Sequence, residues 1–327
     1  MRATDTDEVR WGFLGAGFVA SQAIGPAVHA SPHALLQSVA ARDAERAENL
    51  EPRGQAVDDY QAILDDDSVE AVYISLTNEV HLHWITAALA AGKHVLCEKP
   101  LTLNADECRR AFSTARSAGL LLIEAAWTQW HPRTRRVDAI VTAGDLGEVR
   151  SISSSFTFDG VPVDNYRLDL RRGGGSLLDV GPYLLRPAIT WVNGEWAVDG
   201  VSRTISQEGT DLRTSATLTA TSGTTVDVLS SFIDPERQGL HVQGSSAAIT
   251  FGSPAITSWR EAASIEITDG TRRWAESFPA CDAYELMISS ASRRIRGDSD
   301  VYVATQAESV GCMMLIDLID DACGSAA

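Results

Sequence analysis

The stretch Val9-Arg10-Trp11-Gly12-Phe13-Leu14-Gly15-Ala16-Gly17-Phe18-Val19-Ala20 constrains the fold more than any other part of the chain. It starts as an apolar strand, turns at glycines and opens into a helical pattern. Gly15-x-Gly17-x-x-Ala20 follows the spacing of a phosphate-cradling turn between a strand and a helix. Gly15 suits backbone angles closed to other residues. Gly17 lets an anionic group approach the backbone, and Ala20 lets the helix pack close to the strand. The N–H groups of Gly17, Phe18 and Val19 and the positive end of the helix then face a pyrophosphate. The expected ligand is a dinucleotide.

Leu35 to Ala40 reads as a second strand, whose end meets the adenosine ribose in such a unit. NAD sites usually carry an acidic residue there, about 20 residues past the glycines. This chain has Ala40-Ala41-Arg42-Asp43. Arg42 is placed to clamp a 2′-phosphate, which favours NADP, with NAD still compatible. Asp43 reads as the cap of a helix from Ala44. Val69 to Leu76 is a buried strand whose end carries Thr77-Asn78-Glu79-Val80-His81, at the sheet edge where ligands bind. Thr77, Asn78 and His81 are candidates for cofactor contact; capping of the next helix is an equal alternative for Asn78 and His81. Val95 to Cys97 delivers Glu98 and Lys99 to the same edge as further candidates for cofactor contact; Lys99 suits a phosphate or substrate clamp or an acid–base group, with a plain surface lysine as the alternative. Pro100 ends that strand in a turn that a cis peptide would suit. Strands and helices alternate from residue 9 to 124 as six βα-type units, which predicts a parallel sheet of the Rossmann type.

Beyond residue 124 the pattern changes. Trp127 lies just past the last strand and reads as a cofactor-pocket wall or a packing residue. A helix is expected from Arg133 to Ala143 and a long strand from Gly147 to Phe158. A polar loop, Asp159 to Arg172, follows and fits no known substrate pattern. Gly173-Gly174-Gly175 then opens a helix running to about Trp191, on which Asp179 and Tyr183 share one face. Residues 195 to 277 are Thr-, Ser- and Val-rich and broken by turns, which predicts a large, mainly antiparallel open sheet. Helices are expected at 280–296 and 302–322. The fold class is therefore α/β, with domains at 1–124 and 125–327 and a C-terminal helix able to pack back on the first.

The net charge of −17, from 27 basic and 44 acidic residues, argues against nucleic acid and anionic membrane as partners. No apolar run approaches the ~20 residues of a membrane span. Met1 to Glu8 is polar and acidic, so it reads as a frayed leader rather than a signal peptide. The five cysteines are odd in number and lack a C-x-x-C pair, which points to reduced thiols in a cytoplasmic setting, with no metal site.

Together, Gly12-x-x-Gly15-x-Gly17-x-x-Ala20, Thr77-Asn78-x-x-His81, Glu98-Lys99-Pro100 and Gly173-Gly174-Gly175-x-x-x-Asp179-x-Gly181-x-Tyr183 resemble the glucose–fructose oxidoreductase/inositol dehydrogenase/MocA family over residues 9 to 323. Tyr183, where many members carry histidine, is similar to the dihydrodiol dehydrogenase/D-xylose 1-dehydrogenase branch and to nucleotide-sugar 3-ketoreductases. The resemblance implies an NADP-dependent oxidoreductase acting on a sugar-like polyol or aldose, with Tyr183 as acid/base and Lys99 as its partner. Hydride transfer at a carbinol carbon needs a proton moved on the oxygen. A free phenol, of pKa about 10, needs a nearby cation to do so near neutrality. Asp179 is a candidate acceptor from a substrate hydroxyl, or a lock between the domains. A ketoreductase of a nucleotide-linked deoxysugar and a non-catalytic dinucleotide sensor are the alternatives. The antiparallel sheet is the expected surface of a homodimer or homotetramer.

Overall fold

A computed structural model describes residues 7–324; most of the expected leader lies outside them. The chain divides into two compact units. The first comprises the residues through Thr102, Asp106–Trp130 and Asp282–Ser309; the second comprises Leu103–Ala105, His131–Cys281 and the residues from Val310 on.

The first unit carries β1 (Val9–Leu14), α1 (Gly25–Ala30), β2 (Ala34–Ala40), α2 (Ala44–Glu48), β3 (Ala56–Val57), α3 (Tyr60–Asp65), β4 (Ala71–Ile74), α4 (His81–Ala90), β5 (His94–Cys97), most of α5 (Ala105–Ala118) and β6 (Leu122–Glu124). Its six strands lie in the order β3-β2-β1-β4-β5-β6, and every pair is parallel. Helices cover both faces, so β4 is buried along its whole length. A π-turn at Ala20–Ile24 runs straight into α1. A methyl group on Gly12 would stand 2.4 Å from Ile63 Cγ2, so α3 seats directly on β1.

The second unit carries α6 (Pro132–Ala143), β7 (Val149–Thr157), α7 (Ser176–Trp191), β8 (Trp196–Ile205), β9 (Asp211–Ala220), β10 (Thr225–Ser231), β11 (Arg237–Gly244), β12 (Ala248–Phe251), β13 (Ala263–Thr268) and β14 (Arg273–Phe278). Its eight-stranded sheet has the order β14-β13-β12-β11-β7-β10-β9-β8. It is antiparallel throughout except where β7 lies parallel to β10. The mainly antiparallel second sheet and the Rossmann sheet agree with the sequence expectation.

One boundary differs. Helix α8 (Ala283–Ile295), expected in the second domain, belongs to the first unit, as do residues 125–130. It packs on α1 and β2. Its Ser292 hydroxyl accepts from Trp11 Nε1 at 3.1 Å, and its Tyr284 ring stacks on Trp127 at 5.2 Å. The last helix, α9 (Gln306–Gly324), begins in the first unit, where Ser309 Oγ donates to Glu124 Oε2 at 2.7 Å, and lies in the second unit from Val310 on. Among the described residues no helix is long and apolar enough to cross a membrane.

The helix that carries Asp179 and Tyr183 is capped by the sheet beneath it. Gly175, at φ +123°, offers no side-chain cap. Asp211 of β9 takes that role: its Oδ2 accepts from Leu177 N at 2.7 Å and Ser176 Oγ at 2.8 Å, and its Oδ1 from Thr214 Oγ1 at 2.6 Å. Asp211→Ala removes a helix cap and orphans buried donors. It is expected to cost about 2–4 kcal/mol of stability in urea denaturation.

Candidate active site

In the first unit the candidate residues gather at the carboxyl ends of the parallel strands. Gly15 has φ +104°, and its N–H bonds Ala40 O at 2.8 Å. A Cβ there would lie 2.3 Å from Ser75 O, so only glycine fits. Gly17 differs: a Cβ would meet nothing nearer than Ser75 Oγ at 3.8 Å. The protein has room for a side chain at Gly17, so the fold itself does not require glycine there. Phe18 beside it is 77% exposed, Val19 is half-buried, and Ala20 is fully buried against the sheet. This strand, turn and open glycine cradle fit a dinucleotide pyrophosphate.

Asp43 caps α2 as expected, accepting from Glu45 N at 3.1 Å. Arg42 is exposed just past β2, within electrostatic reach of Tyr60. Thr77 is half-buried and donates its hydroxyl to Glu79 Oε1 at 2.8 Å. Asn78 is buried and begins a short 3₁₀ turn, Asn78–Val80, ahead of α4. His81, the first residue of α4, is fully buried, with Nδ1 2.9 Å from Pro100 O and Nε2 3.1 Å from Leu76 O. Burial lowers its pKa against the pull of those two carbonyls. Its ring therefore ties the end of β4 to the turn after Lys99. Trp127 is 4% exposed and its ring stacks on Tyr284.

The Lys99–Pro100 peptide is cis. Glu98 and Lys99 are half-buried beside it. Glu98 Oε1 accepts from Tyr73 Oη at 2.7 Å, and the Glu98 carboxylate also accepts from the backbone N–H of Lys99. Burial pushes its pKa up to about 7, with the Tyr73 and Lys99 interactions pulling the other way and Glu124 adding to the rise. Glu124, at the end of β6, accepts from Leu101 N at 3.3 Å and from Ser309 Oγ at 2.7 Å.

In the second unit Tyr183 is half-buried on α7, its ring 6.3 Å from Phe156 on β7. Phe158 and Phe232 continue that aromatic wall at 5.8 and 5.1 Å between centroids. Asp179, one turn before Tyr183, forms an ion pair with Arg167 of the preceding loop, Nε to Oδ2 at 2.8 Å. This partner lies within its own unit. Burial works against the Arg167 charge, but Asp179, Tyr166 and Tyr183 more than restore it and raise its pKa. Arg167 is therefore a permanent cation in reach of both the carboxylate and the phenol on α7. It was missed because its loop has no periodicity; the one signal was three arginines within 167–172 of an acidic chain. Tyr73 and Glu124 were missed too; the signal was a hydroxyl and a carboxylate in strands otherwise built for burial.

Residues 9–125 match the model of an oxidoreductase family with an NAD-binding Rossmann fold, GFO_IDH_MocA, and residues 134–250 match a GFO/IDH/MocA C-terminal domain. The chain belongs to the Gfo/Idh/MocA oxidoreductase family. Among relatives within it, an NADP-dependent D-xylose 1-dehydrogenase of Haloferax volcanii is 36% identical over 315 residues, covering 94% of this chain and 95% of that one. A dTDP-3,4-didehydro-2,6-dideoxy-α-D-glucose 3-reductase of Streptomyces violaceoruber is 35% identical, covering 90% and 89%. A crystal structure of a 3-ketoreductase from Actinomadura kijaniata, in complex with NADP and TDP-benzene, superposes with a TM-score of 0.88 at 28% identity, covering 96% and 97%.

Proposed function

We propose that this Gfo/Idh/MocA protein is an NADP-dependent oxidoreductase of a sugar-like polyol or aldose. Tyr183 moves the proton on the reacting oxygen and Lys99 assists it. The bound nicotinamide supplies or takes the hydride. The observation that carries the reading is the open Gly17 cradle of the first unit; within the second unit, Tyr183 has a cation, Arg167, in electrostatic reach. A cation near a phenol favours the phenolate and so eases proton removal from a carbinol. Lys99 supplies an ammonium charge suited to a developing alkoxide. Thr77, Asn78, Glu98 and Trp127 line the cofactor side of this reading, and His81 holds that side in place. Asp179 keeps Arg167 oriented and is the candidate acceptor from a substrate hydroxyl. The cytoplasm and a homodimer or homotetramer formed through the open sheet complete the proposal.

A second reading, reduction of a nucleotide-linked keto-deoxysugar, is favoured by the 3-reductase and 3-ketoreductase relatives. One panel separates the two. D-Xylose and other aldoses are offered with NADP and with NAD, and a dTDP-linked keto-deoxysugar with NADPH and with NADH. Turnover of the aldoses with NADP is the expected result; turnover of the dTDP sugar alone transfers the assignment to the second reading. No turnover with any of them overturns the proposal. Arg42→Ala is expected to raise the KM for NADP about 10- to 100-fold while leaving that for NAD nearly unchanged, as loss of a charge-assisted hydrogen bond to a phosphate would.

A further inference from the structure

Lysine is nearly absent from this chain: of 27 cationic side chains, two are lysines, Lys93 and Lys99. Arginine keeps its proton at any working pH, whereas an ammonium answers to its neighbours. Lys93 is buried, and its Nζ donates to Asp66 O and Val69 O at 2.8 Å each. That compact site ties α3 to the start of β4. Lys99 has another setting, built from several elements of the first unit.

Tyr73 of β4 is fully buried, edge-on to Phe13 with centroids 5.0 Å apart, and its hydroxyl is spent on Glu98 at 2.7 Å. The Glu98 carboxylate faces the Lys99 ammonium and accepts from the Lys99 backbone. The other groups around this cluster come from four elements. Glu124 of β6 is a second carboxylate, with hydrogen bonds to Leu101 N and Ser309 Oγ. Cys97 of β5 is kept neutral by burial, which pushes its thiol up. His81 of α4 senses Lys99 and is kept neutral by burial. Tyr284 of α8 faces Tyr73 as a further phenol.

We propose that Tyr73 is a positioning residue for Lys99: its hydroxyl, acting through Glu98, fixes the carboxylate that faces the Lys99 ammonium. The catalytic consequence rests on the acid–base role given to Lys99 above; the geometry does not. Glu98 is poised near neutrality, at about 7. Loss of the Tyr73 donor raises it further, because a hydrogen bond to the charged form has gone. Without the Tyr73 anchor the carboxylate is also free to turn from the Lys99 ammonium, which loses part of the counter-charge that favours its charged form. Lys99 therefore releases its proton at a lower pH.

With two lysines, ε-13C-lysine labelling gives two side-chain signals, assigned by Lys99→Arg. Titration compares the full-length wild type, Tyr73→Phe, which removes one oxygen and keeps the ring, and Glu98→Gln. The Lys99 midpoint is expected to fall by about one pH unit in Tyr73→Phe and at least as far in Glu98→Gln, with Lys93 unmoved. In Tyr73→Phe the alkaline limb of kcat/KM should follow Lys99 while NADPH affinity holds. An unchanged Lys99 midpoint in Tyr73→Phe overturns the proposal, and so does an equal shift of both lysines, which marks general loosening. A wild type without turnover defeats the functional reading instead and leaves the Lys99 titration to decide this one.

Discussion

Tyr183→Phe is expected to lower kcat about a thousandfold while leaving the NADPH dissociation constant within about threefold of wild type. The variant keeps the ring that packs against Phe156 and deletes only the proton-carrying oxygen. A thousandfold is about 4 kcal/mol of transition-state stabilisation, within the range of one positioned acid–base group. Lys99→Ala should lose a similar factor, because it removes the charge that favours both phenolate and alkoxide. The double variant should fall little below the worse single one, since groups acting as a unit are not additive. Stopped-flow reduction of NADP with the best aldose checks the rate, and quenching of protein fluorescence by NADPH checks binding. Near-normal rates in both single variants would dismiss the assigned chemistry.

The glycine turn gives the other large effect, and its two glycines should fail in different ways. Gly15→Ala forces a side chain into positive φ against Ser75 O. Strain of that kind costs about 1–3 kcal/mol before the backbone contact is counted, so the midpoint of urea unfolding should fall markedly. Gly17→Ala meets no such obstacle. Its unfolding midpoint should stay near wild type while NADPH affinity drops at least tenfold, because the methyl occupies the pyrophosphate's approach. Equal affinity for NADPH in Gly17→Ala would remove the cradle from the cofactor site.

Local patterns announced most of the architecture. The buried strands of the first unit are nearly all apolar, the second sheet alternates, and the glycines punctuate both, so each period is visible in isolation. Asp43 was recognisable as a cap because a cap acts over two residues. The features that escaped are those joining distant positions. Arg167 and Asp179 are 12 residues apart across an irregular loop, and no period links them. The apolar face of α8 was plain, but a hydrophobic stripe does not name what covers it, so its return to β2 was not readable. Asp211 caps a helix that begins 35 residues earlier. Tyr73 looked like one more large residue in a buried strand, since a hydroxyl's partner is a matter of tertiary placement.

The loop ahead of α7 has a consequence for altering what this enzyme accepts. Its backbone closes on Gly174, where a Cβ would stand 2.6 Å from Arg167 O, and Gly175 N bonds the same carbonyl at 2.9 Å. The outer segment, by contrast, bears the fully open Val163 at 94% exposure. Variation is thus tolerated best in the distal half, where new side chains leave the pinned base intact. A library randomised at 160–164 should yield mostly folded, active proteins, whereas one that reaches Arg167 should yield mostly inert ones.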